Sequence, residues 1–203
     1  NPVQTYQLAG HPSISGFGGN GTGWTLANGG GSRSTVANDV LTLTSSNSTG
    51  PYNEFWNTTP LSGLGATPWT ASFTYANQTA TMTDGFSFLV QTKGAGTTTQ
   101  GSAWWGSGIS NSLAATFSLY NNGTGGSKVG VVTGGTLNPT DSTSPVNMQA
   151  STLPTQVTLS YDGTGTMTVN LIQGANSFSK NYAVNLSNLN TNAYIGFAGG
   201  QCS

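Results

Sequence analysis

Hydrophobic and polar residues alternate with a period of two along most of the chain. Trp69, Ala71, Phe73 and Tyr75 alternate with polar residues in WTASFTY. Phe86, Phe88 and Val90 do so in GFSFLVQ, with Leu89 on the other face. Leu113, Ala115, Phe117 and Leu119 follow, then Val157, Leu159 and Tyr161. Met167, Val169 and Leu171 come next, after the turn sequence Asp162 to Gly165. Phe178, Tyr182, Val184 and Leu186 follow, and Ile195 and Phe197 close the series. Period-two alternation places one set of side chains on one face of a strand. A short Asp-Gly turn between two such runs is hairpin chemistry. No stretch carries a helical period, because Gly interrupts many windows and β-branched Thr and Val dominate the rest. The pattern predicts an all-β chain of two antiparallel sheets packed face to face. Segments 94–111 and 133–155 read as loops, the second holding Pro139, Pro145 and Pro154. One domain over 1–203 is expected, without internal repeats.

Composition narrows the function. The 203 residues carry only four basic and five acidic side chains, 4% charged, for a net charge of -1. A typical soluble domain is about a quarter charged. Four cations (Arg33, Lys93, Lys128 and Lys180) cannot form the patch that releases counterions from nucleic acid. A net charge this small also excludes a charge-driven disordered tail. Ser, Thr, Asn and Gly make up just over half the chain, but hydrophobic residues are 34% and aromatic ones 10%, enough to build a core. No run approaches the roughly 18 apolar residues of a membrane span. The start at Asn1-Pro2-Val3 reads as a processed or cut end. So few charges point to an extracellular or cell-surface protein. Six Asn-X-Ser/Thr triplets, at Asn20, Asn47, Asn57, Asn77, Asn122 and Asn185, permit glycosylation without arguing for it, since Ser and Thr are so abundant. The single Cys, Cys202, allows no disulfide within the chain. It could join two chains or stand idle at the end.

Four segments in order carry a resemblance: GTGWTLANGG…NDVLTLTSS at 21–46, WTASFTYAN…TDGFSFLVQ at 69–91, GSGISNSLAATFSLYNNG at 106–123, and VTLSYDGTGTMTVNLIQ…AYIGFAGG at 157–200. The series resembles the bacterial L-type lectin-like domains, relatives of the legume lectins with the concanavalin-A-like jelly roll. The resemblance implies a carbohydrate-binding module whose partner is a glycan or cell-surface polysaccharide. It matches Asp84 and Gly85 to a sugar-binding Asp-Gly. A carboxylate accepts charge-assisted hydrogen bonds from two adjacent sugar hydroxyls. The alternative is an Asp that caps its own turn. The Gly-rich loop of the family matches Trp104-Trp105-Gly106-Ser107-Gly108, where Gly106 would offer a backbone N–H and Trp105 a ring platform for a pyranose. The rings could instead cover the end of the sandwich. Asn121 and Asn122 are amides suited to hydroxyls, or in Asn122-Gly123 a turn. The last loop of the family matches Gly199, Gly200 and Gln201.

Two departures stand out. The family carries metal-binding acids on the strand matched by LAATFSLYNN, and here those positions are Thr116 and Ser118. A calcium ion takes six to eight oxygens with carboxylates among them, so no metal and no other cofactor is expected. The family also continues into a final strand where this chain reaches Ser203. A missing strand would leave an edge for strand addition by another copy, with Val3 to Leu8 as donor. These departures favour a second reading: a structural surface protein, adhesin or filament subunit with the sugar site lost. Catalysis is not expected. Asp39, Glu54, Asp84, Asp141 and Asp162 form no close pair in sequence, whereas glycosidases need two carboxylates about 5 to 10 Å apart. The only His, His11, has no nucleophile context.

Overall fold

A computed structural model describes residues 5–6, 13–28, 34–43, 52–76, 84–98, 106, 108–119, 126–136, 139–149 and 153–200. The strands run in chain order as β1 (Thr5–Tyr6), β2 (Ile14–Ser15), β3 (Trp24–Asn28), β4 (Thr35–Ala37), β5 (Val40–Thr42), β6 (Tyr52–Asn57), β7 (Trp69–Tyr75) and β8 (Gly85–Gln91). They continue as β9 (Ser112–Ser118), β10 (Lys128–Thr133), β11 (Asp141–Ser142), β12 (Thr155–Tyr161), β13 (Thr166–Gln173), β14 (Asn176–Ala183) and β15 (Tyr194–Gly200). One helical turn, α1 (Gly18–Gly21), and one 3-10 turn (Ser187–Leu189) complete the described structure.

Seven strands form the front sheet in the order β11-β10-β9-β8-β15-β6-β3, and four form the back sheet as β14-β13-β12-β7. Every pairing is antiparallel. The two antiparallel sheets expected from the alternation are therefore present. The described part of the Val3–Leu8 stretch pairs within its own chain, Thr5 with Ser15 and Tyr6 with Ile14, rather than standing free as a donor.

Alternate side chains fill the space between the sheets. Phe73 of β7 meets Phe197 of β15 edge-on, centroids 5.1 Å apart, and Phe86 stacks on Phe117 at 4.8 Å. Each such ring, fully buried, is worth about 2–3 kcal/mol. Two central strands lack the simple alternation. Every residue of β8 is buried, and so is Asn53–Asn57 of β6. Their outer side chains, Leu89 and Trp56, join Ala27, Ile109, Ala114 and Ala198 in a second apolar cluster on the far side of the front sheet. The loop after β8 covers that cluster, and Trp56 donates its indole N–H to Thr97 O at 2.8 Å.

One amide bonds the loop between β11 and β12 at both of its ends. Gln173 Nε2 donates to Asn147 O and to Thr155 Oγ1, both at 2.8 Å, while Gln173 Oε1 accepts from Asn147 N at 3.0 Å. With Thr143 Oγ1 donating to Val146 O at 2.9 Å and Met148 N donating to Ser127 Oγ at 3.1 Å, the clamp holds the segment where Val146 and Met148 enter the core. The outer face of the back sheet is uncharged and, apart from the exposed Ile172, mostly polar. Thr70, Ser160, Thr168 and Asn181 share one cross-strand row, and Ser72, Thr158, Asn170 and Ser179 share the next.

Candidate functional site

The five acids of the chain have different surroundings. Asp162 caps the β12–β13 hairpin: its Oδ1 accepts from Thr164 N, Gly165 N and Thr166 N at 2.7–2.9 Å. These backbone donors hold its carboxyl well below the usual range. Asp39 Oδ1 accepts from Phe17 N at 2.7 Å and Gly19 N at 3.0 Å, tying α1 to the β4–β5 turn. Asp141 is bound by Lys180 and Tyr182. Glu54, the only Glu, is 1% exposed on the outer face of β6. It lies in a cross-strand row with Ala198, Ser87 and Thr116.

Asp84 differs from the other four. It sits directly before β8, partly buried, and its carbonyl accepts from Leu119 N at 2.9 Å. Its carboxylate has no hydrogen bond among the described residues, so it is not spent on capping its own turn. Register puts Gly85 opposite Ser118 on one side and Gly200 on the other. Gly200 in turn faces Tyr52, and Ser118 faces Lys128. One end of the front sheet thus gathers Asp84, Gly85, Ser118 and Gly200, two of them without side chains. Asn121 and Asn122 follow Leu119 in the chain, and Gln201 follows Gly200. Asn121, Asn122, Gln201 and Trp105 all lie outside the described residues.

Gly106 does not join this group. A Cβ on Gly106 would come within 2.6 Å of Leu89 Cδ2. Its carbonyl accepts from Ile109 N at 3.1 Å, and Ser112 Oγ donates to Ile109 O at 2.6 Å. Leu89 is five residues along the strand from Asp84, on the order of 15 Å. Among the described residues, Gly106 thus sits against Leu89 rather than beside Gly85. Gly106 is a glycine because its φ is +82° and its Cα rests on Leu89.

Thr116 is buried, and its hydroxyl donates to Gly130 O at 3.0 Å, so it is engaged within the sheet. Ser118 offers a second hydroxyl where the resemblance calls for an acid. Among the described residues, no group of three or more His, Cys, Asp and Glu side chains is close enough to hold a metal ion. The donor set does not fit calcium.

Sequence reasoning missed the burial of Glu54. The signal was present: a lone acid directly before Phe55-Trp56, in a stretch without turn residues.

No protein-family model matches the sequence, and no curated protein matches it. Solved structures do match in fold. The basic winged bean lectin, solved with Tn-antigen, is 14% identical with a TM-score of 0.67, covering 97% of this chain and 85% of its own. Lectin I from Ulex europaeus, solved with the methyl glycoside of alpha-L-fucose, is 14% identical with a TM-score of 0.66, covering 88% and 84%. The exoplasmic/lumenal domain of VIP36 in its Ca2+/Man3GlcNAc-bound form is 15% identical with a TM-score of 0.65, covering 90% and 80%. The chain has the L-type lectin fold.

Proposed function

We propose that this chain is a non-catalytic carbohydrate-binding module of the extracellular space or cell surface. Its sugar site is built at the front-sheet end around Asp84 and Gly85, with Gly200, Gln201, Asn121 and Asn122 as the neighbouring contacts and Trp105 as an aromatic platform. The observation that carries this reading is the Asp84 carboxylate, which is only partly buried and has no hydrogen bond among the described residues. It is flanked by glycines that leave room for a ligand to approach the backbone. A carboxylate with free lone pairs is suited to two vicinal hydroxyls. The lectin fold of the solved structures above, three of them with sugars bound, supports the same reading. Binding rather than hydrolysis is supported by the acids: three are committed to structural hydrogen bonds and Glu54 is buried, so no second carboxylate stands opposite Asp84.

The test is a glycan array followed by calorimetry on the best hit. Wild-type protein should bind a neutral glycan, and Asp84→Asn should lose at least about tenfold in affinity, the worth of one charge-assisted bond. Absence of any glycan binding, or binding unchanged in Asp84→Asn, would sink the proposal.

The second reading, a structural surface protein, adhesin or filament subunit, is favoured by Thr116. A hydroxyl donated to Gly130 where the resemblance has a metal-binding acid fits a sandwich that has given up metal-organised sugar binding. Electron microscopy of the native material distinguishes the two readings by the presence or absence of polymer.

A further inference from the structure

The lysines of this chain differ in what they touch. Lys180 is paired with Asp141, and Lys93 is exposed. Lys128 is half-buried at the start of β10, yet its ammonium has no hydrogen bond or ion pair among the described residues. Withdrawing a charge from water costs free energy unless a group of opposite sign offsets it.

Register fixes the face on which Lys128 stands. Its neighbour Val129 is buried in the core between the sheets, and Val132, of the same parity as Lys128, packs on the cluster at the far side. Lys128 is therefore on the outer face of the front sheet. Asp141 pairs with Val129 in the ladder and is turned inward to Lys180 and Tyr182, so it does not neutralise Lys128. On the outer face the cross-strand row runs Ser142, Lys128, Ser118, Gly85, Gly200. Lys128 and Gly85 are two strands apart, roughly 10 Å between backbones. Ser118 and Gly85 place almost no side chain between Lys128 and Asp84, which adjoins Gly85. Both charges are partly buried, they lie at one end of one sheet, and no ion pair joins them. Beside Ser118, where the resemblance has a metal-binding acid, the chain thus carries a cation of its own.

We propose that Lys128 is the second pole of the sugar site and binds the carboxylate or sulfate of an acidic saccharide whose hydroxyls lie on Asp84. The inference rests on the sugar-site reading of Asp84 and narrows its ligand class. An ammonium on a flexible stem is a compact point charge with three donors, so it accepts either anion. The bond is charge-assisted and strengthened by partial burial. Asp84 repels the anion while accepting hydroxyls, which sets the direction of the sugar: hydroxyls at β8, acid toward β10. A neutral sugar engages the Asp84 end alone, and an acidic one engages both ends.

A glycan array with neutral, uronic-acid and sulfated chains selects the backbone. Calorimetry then compares the best acidic chain with its neutral counterpart, the methyl ester of a uronate or the unsulfated form of a sulfated chain. The acidic member should bind about tenfold more tightly at low salt, and the gap should narrow as salt rises. Lys128→Met keeps the length of the side chain without its charge and should bring the acidic chain to the affinity of the neutral one. Lys128→Arg should keep the preference. Circular dichroism checks the fold of both variants, and the ester comparison on wild-type protein needs no variant. Equal affinity for the two members, or a preference that survives Lys128→Met, overturns the inference. So does inorganic sulfate that competes as well as the sulfated chain, since that marks a bare anion site. If Asp84→Asn then still weakens both members, the sugar site stands without Lys128. If Asp84→Asn weakens neither, or if no chain binds in either form, the sugar-site reading falls and this inference with it.

Discussion

Tyr182 donates its phenolic hydrogen to Asp141 Oδ2 at 2.9 Å, and the two residues belong to different sheets. Lys180 holds the other carboxylate oxygen and lies over the Tyr182 ring, 5.5 Å from its centroid. The three side chains clip the β11 edge of the front sheet to the β14 edge of the back sheet.

The clip makes stability depend on pH at both extremes. The hydrogen bond from Lys180, aided by that from Tyr182, holds the Asp141 carboxyl below its ordinary range despite some burial. A depressed folded-state value stabilises above the unfolded value, about 4 for Asp, and the benefit is lost as pH falls through the folded one. Burial, then the bond to Asp141, raises the Tyr182 phenol above its ordinary value. That contribution is complete below the unfolded value, about 10, and is lost as pH rises through the folded one. Asp141→Asn should cost about 1 kcal/mol or less at neutral pH, as partly exposed pairs do. Urea unfolding at neutral and acid pH should show the difference from wild type shrinking in acid.

Asp162 acts through the backbone alone. Asp162→Ala should lower the melting temperature at neutral pH by freeing three turn N–H groups. The wild type should lose the same increment as its carboxylate protonates in strong acid, where the two proteins converge. Thermal melts across the acid range check this.

Gln173→Leu keeps the volume of the side chain and deletes its four bonding positions. Asn147 N, Asn147 O and Thr155 Oγ1 would lose their partner, at a cost of about 2–3 kcal/mol. Limited proteolysis should then cut within 139–154 earlier than in wild type, because this amide is one of the ties of that loop to the core, beside those of Ser127 and Thr143.

Chelation should change nothing. With Thr116 bonded to Gly130 and Ser118 a hydroxyl, treatment with a calcium chelator is expected to leave both the melting temperature and any glycan binding as they were. A drop in either would show a divalent site that these donors do not explain.

Glycosylation should discriminate among the triplets. Asn57 is buried and its Oδ1 accepts from Thr59 N at 2.9 Å, whereas Asn20 and Asn185 are exposed. Expressed in a glycosylating host and mapped by mass spectrometry, the protein should carry no glycan on Asn57.

The strands that the sequence displays most clearly are those with one wet face. β7, β12 and β13 alternate because one side meets solvent and the other meets the core. β6 was hidden for the opposite reason. Asn53, Glu54 and Asn57 are polar yet buried: Glu54 lies on the covered outer side of the front sheet, and Asn53 and Asn57 share the inner face with Phe55. β10 was hidden by Gly130, which interrupts a valine run. Asp84 was singled out through the resemblance, whose Asp-Gly motif is local: Gly85 adjoins it and an apolar strand follows. Gly106 could not be placed, because its position depends on how a long loop crosses the sheet. That crossing is set by Leu89 and Ile109, contacts that no local spacing encodes.

The uncharged rows on the back sheet bear on how this molecule stays dissolved. Thr, Ser and Asn hold their water at any pH and attract no counterion cloud. With a net charge of -1, copies feel almost no long-range repulsion, and salt has little of it to screen. Colloidal stability then rests on a tightly held hydration layer only a molecule or two thick. Brine, acid or a strongly charged polymer would leave such a coat much as they found it.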